Sequence, residues 1–197
     1  MIKKHAQKKG FLLFEQDEKL LNIYNIISKK LPTSIFARPD YNFFEVLVRS
    51  KIISVFCVKN RNKLASIITV VDYKNYFIFK KKVIMYLLSN PLKIFVNFTS
   101  LLKSFSRNAK TSINKDSLYL LHLVIFKNKF TKISIKQKDN ILNFFFKKIL
   151  KSFDAKILFL CYDRDNSKAN NFYLRNKFKI YDTNSNRICV KKKINDF

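Results

Sequence analysis

From Ser117 onward the chain twice repeats the same pair of patterns, and this repetition restricts the fold more than any other feature. "SLYLLHLVIF" is an unbroken apolar run of strand length, and "DNILNFFFKKILKSF" spaces its apolar residues as a helix does. "AKILFLCY" is a second apolar run, and "NSKANNFYLRNK" a second helix. Strand, helix, strand, helix implies a right-handed crossover, which sets the two buried strands parallel. Ligands of such units bind where strand ends open onto helix N-termini. Asp139 is expected to cap the first helix and Asn166 or Ser167 the second; the strands "KFKIYD" and "RICVKKKI" then close the chain around "TNSN".

The preceding residues predict an α/β (α+β) opening. A short strand at about Gly10 to Phe14 leads into "DEKLLNIYNIISKKL", where Leu20, Leu21, Tyr24, Ile27 and Leu31 recur at helical spacing behind an Asp17 cap and Pro32 ends the run. A second helix fits "DYNFFEVLVRSKI", with Asp40 as its cap. "SVFCVKN" and "KLASIITVVDY" flank the polar turn "NRN" as an antiparallel hairpin. Residues 74–105 are rich in large apolar side chains, but Asn90, Pro91, Lys93 and Asn97 interrupt them, and a cation at the centre of a bilayer span costs about 2.5–3.5 kcal/mol. Two helices broken at Pro91 and packed on the domain are therefore expected, the alternative being an amphipathic surface resting on anionic lipid.

Composition excludes several chemistries. The 197 residues, 48% of them hydrophobic, suit one domain with a sizeable core. Gly10 is the only glycine, so neither a phosphate-cradling Walker A loop nor a G-x-S-x-G elbow can be written. His5 and His122 are the only histidines, which excludes H-E-x-x-H chemistry; Cys57, Cys161 and Cys189 lie far apart and suggest neither a disulfide framework nor a zinc site. The formal charge of +27 comes mostly from lysine in short scattered runs; lysine, like Asn, Ile and Phe, has A/T-rich codons. A nucleic-acid footprint is therefore not expected, although phosphates of a cofactor would feel the field. The apolar run near the N-terminus is only four residues long, too short for a signal peptide, and a cytoplasmic protein is expected.

"DNSKANNFYLRNKFKIYD" resembles the motif of the GNAT N-acetyltransferase superfamily, with Asn166, Ala169, Phe172, Tyr173, Asn176 and Phe178 at the family's spacing. The order of elements is similar too. The resemblance implies one domain over residues 1–197, built on a mixed, mostly antiparallel sheet with a splayed parallel central pair, and an apolar helical insertion at about 74–105 like that of members in cell-surface polysaccharide and amino-sugar pathways. It implies transfer of acetyl from acetyl-CoA to a primary amine by direct attack, without metal. Tyr173 would protonate the departing CoA thiolate, Asn166 would contact CoA, small Ala169 would let the pantetheine arm pass, and backbone groups of Leu123 and Ile125 would meet the acetyl and pantetheine amides.

His122, near where many members carry a substrate-facing carboxylate, would be the base, with Glu45 as fallback. Lys129, Lys132 and Ser134 fall where the family places the Arg, Gly and Gly/Ala of its pyrophosphate loop, and this chain has no glycine there. For the residues alone, Asn166 as a simple N-cap, Tyr173 as packing and His122 as a buried, backbone-bonded histidine stay open. The other class of function is a catalytically degenerate GNAT-fold protein binding a partner, anionic lipid or nucleic acid through its lysines. Among partners the reading includes a small-molecule amine and leaves peripheral membrane contact and a homodimer open.

Overall fold

The computed structural model describes residues 3–16, 19–31, 41–61, 63–90, 115–126, 130, 133–183 and 186–197. Where one strand is expected near Gly10 there are two, β1 (Lys3–Lys8) and β2 (Phe11–Glu15), joined as a hairpin. Lys9 and Gly10 in its turn have φ of 49° and 75°, the two-residue turn whose twist matches the flanking strands. A Cβ on Gly10 would meet only Asn60 Oδ1, at 3.9 Å, so glycine serves there for its φ and not for space.

Helices α1 (Leu20–Lys30) and α2 (Tyr41–Arg49) follow. The position before α1 is Lys19, in left-handed conformation with no side-chain cap bond; Asp17 and Asp40 lie outside the described residues. Leu20, Ile23 and Ile27 form the buried stripe of α1, whereas Leu21 is half exposed. Strands β3 (Ser54–Asn60) and β4 (Lys63–Asp72) make the expected antiparallel hairpin. Helix α3 (Tyr73–Leu88) begins at once, its N-terminus capped by the Asp72 carboxylate accepting from Asn75 N at 2.7 Å. The rest of the apolar insertion, with Pro91, lies outside the described residues.

Then come β5 (Ser117–Ile125), α4 (Ile135–Ser152), β6 (Ile157–Asp163), α5 (Ser167–Arg175), β7 (Lys179–Thr183), β8 (Arg187–Lys193) and a closing 3-10 turn, Ile194–Asp196. The strands form one sheet in the order β1-β2-β3-β4-β5-β6-β8-β7. All neighbours are antiparallel except β5 and β6, which are parallel as the crossover requires. One face carries α1, α2 and α3, whose Ile27, Phe44, Leu47, Phe79 and Val83 pack on Val55, Ile67 and Val71. The other carries α4 and α5, whose Phe145, Phe146, Ile149 and Phe172 pack on Phe56, Ile68, Leu118 and Leu158. Cover on both faces explains why β4 reads as a nearly continuous apolar run and not as an alternation.

Two expectations are corrected. Helix α4 starts four residues before Asp139, at Ile135, because Ser134 and Gln137 form a complete capping box: Ser134 Oγ accepts from Gln137 N and Gln137 Oε1 accepts from Ser134 N, each at 3.2 Å. Cys161 and Cys189, far apart in sequence, are directly paired in register on β6 and β8 and form a disulfide; Cys57 is free and buried.

Helices α2, α4 and α5 all terminate the same way. The residue in left-handed conformation is Lys51 (φ 55°), Asp154 (φ 52°) or Lys177 (φ 61°). The next N–H, of Ile52, Ala155 or Phe178, reaches back to Leu47, Leu150 or Tyr173 O at 2.9–3.0 Å. These are Schellman ends with a bulky residue where glycine is usual.

Candidate active site

Strands β5 and β6 pair over only three positions, Ser117 with Ile157, Leu118 with Leu158 and Tyr119 with Phe159. Beyond Tyr119 and Phe159 they separate, while β5 stays zipped to β4 as far as Ile125. Leu121 is an extra residue in that ladder, since Thr69 and Val70 oppose His122 and Leu120. Such a bulge re-aims a strand. Past it, Phe126 N donates to Ala65 O and Ser66 Oγ donates to Val124 O at 2.8 Å, so these positions turn their backbones to β4. By the alternation of a strand, Leu123 and Ile125 turn theirs to the opened side. The result is a wedge with unladdered peptide groups along one wall.

Helix α5 lies against the wedge on the α4 side. Its sequence puts Ala169, Phe172, Tyr173 and Asn176 on one stripe: Phe172 and Tyr173 are buried, Ala169 is half-buried and Asn176, the C-cap, is buried. The Tyr173 ring stacks on Tyr162 of β6 at 5.3 Å and meets Phe178 edge-on at 5.1 Å. Burial pushes its hydroxyl pKa well above the usual tyrosine value, so the phenol keeps its proton at any physiological pH. Tyr162 is itself fixed by donating to Asn170 Oδ1 at 2.9 Å. Asn166 caps α5, its Oδ1 accepting from Ala169 N at 3.0 Å.

His122 lies on β5 directly opposite Thr69 and faces the side of α1, α2 and α3. It is buried, and burial holds its imidazole down to about 3; the ring is neutral throughout the physiological range and a weak proton acceptor. Glu45 is on α2 and is paired with Arg49 at 2.6 Å. On the same face as His122, Tyr76, Tyr119, Phe159 and Tyr181 form a chain of rings at 4.9–5.3 Å across the base of the wedge.

Ser134 caps α4, so its hydroxyl is already engaged with a backbone N–H. The first turn of α4 bears Lys136 and Lys138 and no acidic residue. The start of a helix attracts anions through its free N–H groups, and these lysines add to that field. Lys129 and Lys132 lie outside the described residues.

The polar contacts that fix the site escaped sequence reasoning, although Asp139 and Asn176 stand out in the sequence for other reasons. Asp139, buried on α4, pairs with Arg175 of α5 through Nε at 2.5 Å and Nη2 at 3.3 Å. Asn176 Oδ1 accepts from Asn143 Nδ2 at 2.8 Å, its Nδ2 donates to Phe172 O, and its carbonyl accepts from buried Lys192 Nζ at 2.8 Å. Lys192 also lies 4.2 Å from the Phe197 ring centroid, and burial lowers its pKa to about 8. These contacts lock α5 to α4 and β8. Only the Ser134–Gln137 cap had a local signature, S-x-x-Q ahead of an apolar run.

No protein-family model matches the sequence, and no curated protein matches it. Solved structures do. A GNAT-family acetyltransferase from Listeria monocytogenes is 13% identical, with 97% of this chain and 99% of that one covered, at a TM-score of 0.58. The Campylobacter jejuni N-acetyltransferase PseH in complex with acetyl coenzyme A is 16% identical, with 93% and 98% covered, at 0.55. The PaiA N-acetyltransferase from Thermoplasma acidophilum in complex with coenzyme A is 16% identical, with 93% and 98% covered, at 0.51. At such identities the likeness is one of fold, and in its strand order, parallel pair and flanking helices this chain has the fold of the GNAT acetyltransferases.

Proposed function

We propose that the protein is an N-acetyltransferase that moves acetyl from acetyl-CoA to a primary amine. The observation that carries this is the wedge: a parallel pair that opens after three positions, next to a helix stripe holding a buried, protonated tyrosine. A thin acyl-pantetheine arm fits such an opening, and its amides and thioester carbonyl can pair with the backbone of Leu123 and Ile125, with Ala169 leaving room beside them. Two of the solved structures of this fold hold acetyl-CoA or CoA. The α4 N-terminus with Lys136 and Lys138, together with Lys129 and Lys132, supplies the positive end for the pyrophosphate in place of the missing glycines.

In the reaction the amine nitrogen attacks the thioester carbon and the C–S bond breaks. The thiolate takes the Tyr173 proton; the nitrogen gives one up to water and Tyr173 regains its own from water, so CoA leaves as the thiol and the phenol is restored. His122, neutral throughout, is our candidate to accept a hydrogen bond from that N–H, directly or through water. The helical insertion before the central strand leads us to place an amino sugar first among acceptors.

Titrating acetyl-CoA against the purified protein tests the first half of this reading, since any ligand of the native state alone raises the melting temperature. Tyr173→Phe tests the second. It should lower kcat by about 10²–10⁴-fold with little change in acetyl-CoA affinity. Unchanged kcat with reduced stability would make Tyr173 a packing residue.

One observation favours a second reading, a basic binding module without turnover: the segment between β5 and α4 has no glycine, and the Ser134 hydroxyl is committed to the cap. It requires partner affinity that falls steeply with salt and ignores acetyl-CoA.

A further inference from the structure

Nine large apolar side chains among the described residues are exposed, and four of them, Phe77 (63%), Ile78 (46%), Met85 (56%) and Leu88 (68%), are on α3. At about 100° per residue these four fall within an arc of about 100° on the outside of the helix. Lys74 and Lys81 project within the same arc. Phe79, Val83 and Leu87 hold the opposite side to the core, so α3 is apolar on both faces and only one is satisfied. From Tyr73 to Leu88 the helix carries four lysines and no acidic residue. Lys80, outside that arc, lays its Nζ 4.8 Å from the Tyr76 ring centroid.

We infer that this face of α3 docks on an anionic membrane surface, with the helix lying in the plane of the interface. Large apolar side chains interleaved with lysines match a bilayer boundary, where the first enter the acyl edge and the second meet lipid phosphates. Charge decides between occupants. A second copy of a chain with net charge +27 is repelled, whereas an anionic leaflet attracts it. A nucleic acid would satisfy Lys74 and Lys81 but leave Ile78, Met85 and Leu88 in water. Among the described residues no helix is long and apolar enough to cross a membrane, so the mode is resting on the surface. The inference is independent of acetyl transfer.

The test is co-sedimentation of the full chain with vesicles of mixed phosphatidylcholine and phosphatidylglycerol and with vesicles of phosphatidylcholine alone. Binding is expected to the mixed vesicles and to weaken with salt. K74Q/K81Q should lower partitioning about fivefold per lysine. F77S/L88S should lower it at least tenfold, with the circular dichroism of both variants unchanged and the melting temperature little changed, since these side chains are exposed and Phe77 gives up only edge contacts with the Tyr73 and Tyr76 rings. Failure of the wild type to bind the mixed vesicles overturns the inference, as does equal binding to phosphatidylcholine alone. So does binding that F77S/L88S leaves intact, the pattern of a purely electrostatic polyanion site. Light scattering that shows a wild-type dimer dissociated by F77S/L88S overturns it in favour of a second copy.

Discussion

Replacing the left-handed residues of the three Schellman ends by glycine should stabilise the protein. A side chain with a Cβ in that conformation costs about 1–2 kcal/mol. Glycine removes this cost and gives back about 0.5–1 kcal/mol through the freedom of its unfolded chain. Each of Lys51→Gly, Asp154→Gly and Lys177→Gly should therefore gain about 0.5–1 kcal/mol. The three sites end different helices, so the gains should add to about 1.5–3 kcal/mol, or about 3–12 °C in melting temperature for a chain of this size. Lys177 has a second effect, since its charge also opposes that of buried Lys192. Lys177→Ala separates the two: it removes the charge and keeps the Cβ, and should recover only the electrostatic part. Urea melts followed by circular dichroism give each difference. If the glycine variants are neutral or less stable than their alanine counterparts, backbone strain is absent at these ends and the reasoning fails.

Two further predictions concern buried polar groups. Arg175→Ala leaves the Asp139 carboxylate buried on α4 without its guanidinium; because the Arg175 side chain is 44% exposed, the loss should be about 1–2 kcal/mol, below that for a fully buried pair, and a change under about 0.5 kcal/mol in a urea melt contradicts the clamp. The pKa of about 3 for His122 lies below its unfolded value near 6.5, so between them the unfolded chain binds a proton that the folded chain refuses. This contribution is intact above pH 6.5 and erodes as pH falls toward 3, by up to about 1.4 kcal/mol per pH unit. Denaturant titrations of His122→Asn between pH 7 and 5 should show a flatter dependence than the wild type; parallel curves would mean that His122 is solvated.

The framework was legible in the sequence because it rests on local pattern. The apolar runs at 118–125 and 157–162 and the stripe Ala169, Phe172, Tyr173, Asn176 state their own periodicities, and a crossover between parallel strands follows from them. What sequence left hidden depends on partners distant along the chain. Cys161 meets Cys189 because β8 inserts between β6 and β7, which no spacing rule announces. Asp139 looked like a cap because an acid before an apolar run usually is one; only the approach of α5 makes it the partner of Arg175. Between Asn176 and Phe178, Lys177 is forced into the conformation that glycine would adopt freely.

The bond between Cys161 and Cys189 spans a sequence separation of 28, and the closed loop contains the end of β6, all of α5 and all of β7. Tension applied through the two ends of the chain passes across the sulfur bridge and bypasses that loop. Stretched to its limit, the bridged chain is shorter than the reduced one by roughly 90–100 Å, the contour of the residues between the cysteines. The helix bearing Tyr173 is therefore mechanically sheltered: a pull strong enough to strip β1 and β2 from the sheet edge loads β6 and β8 but cannot draw out α5 until the bridge is cut.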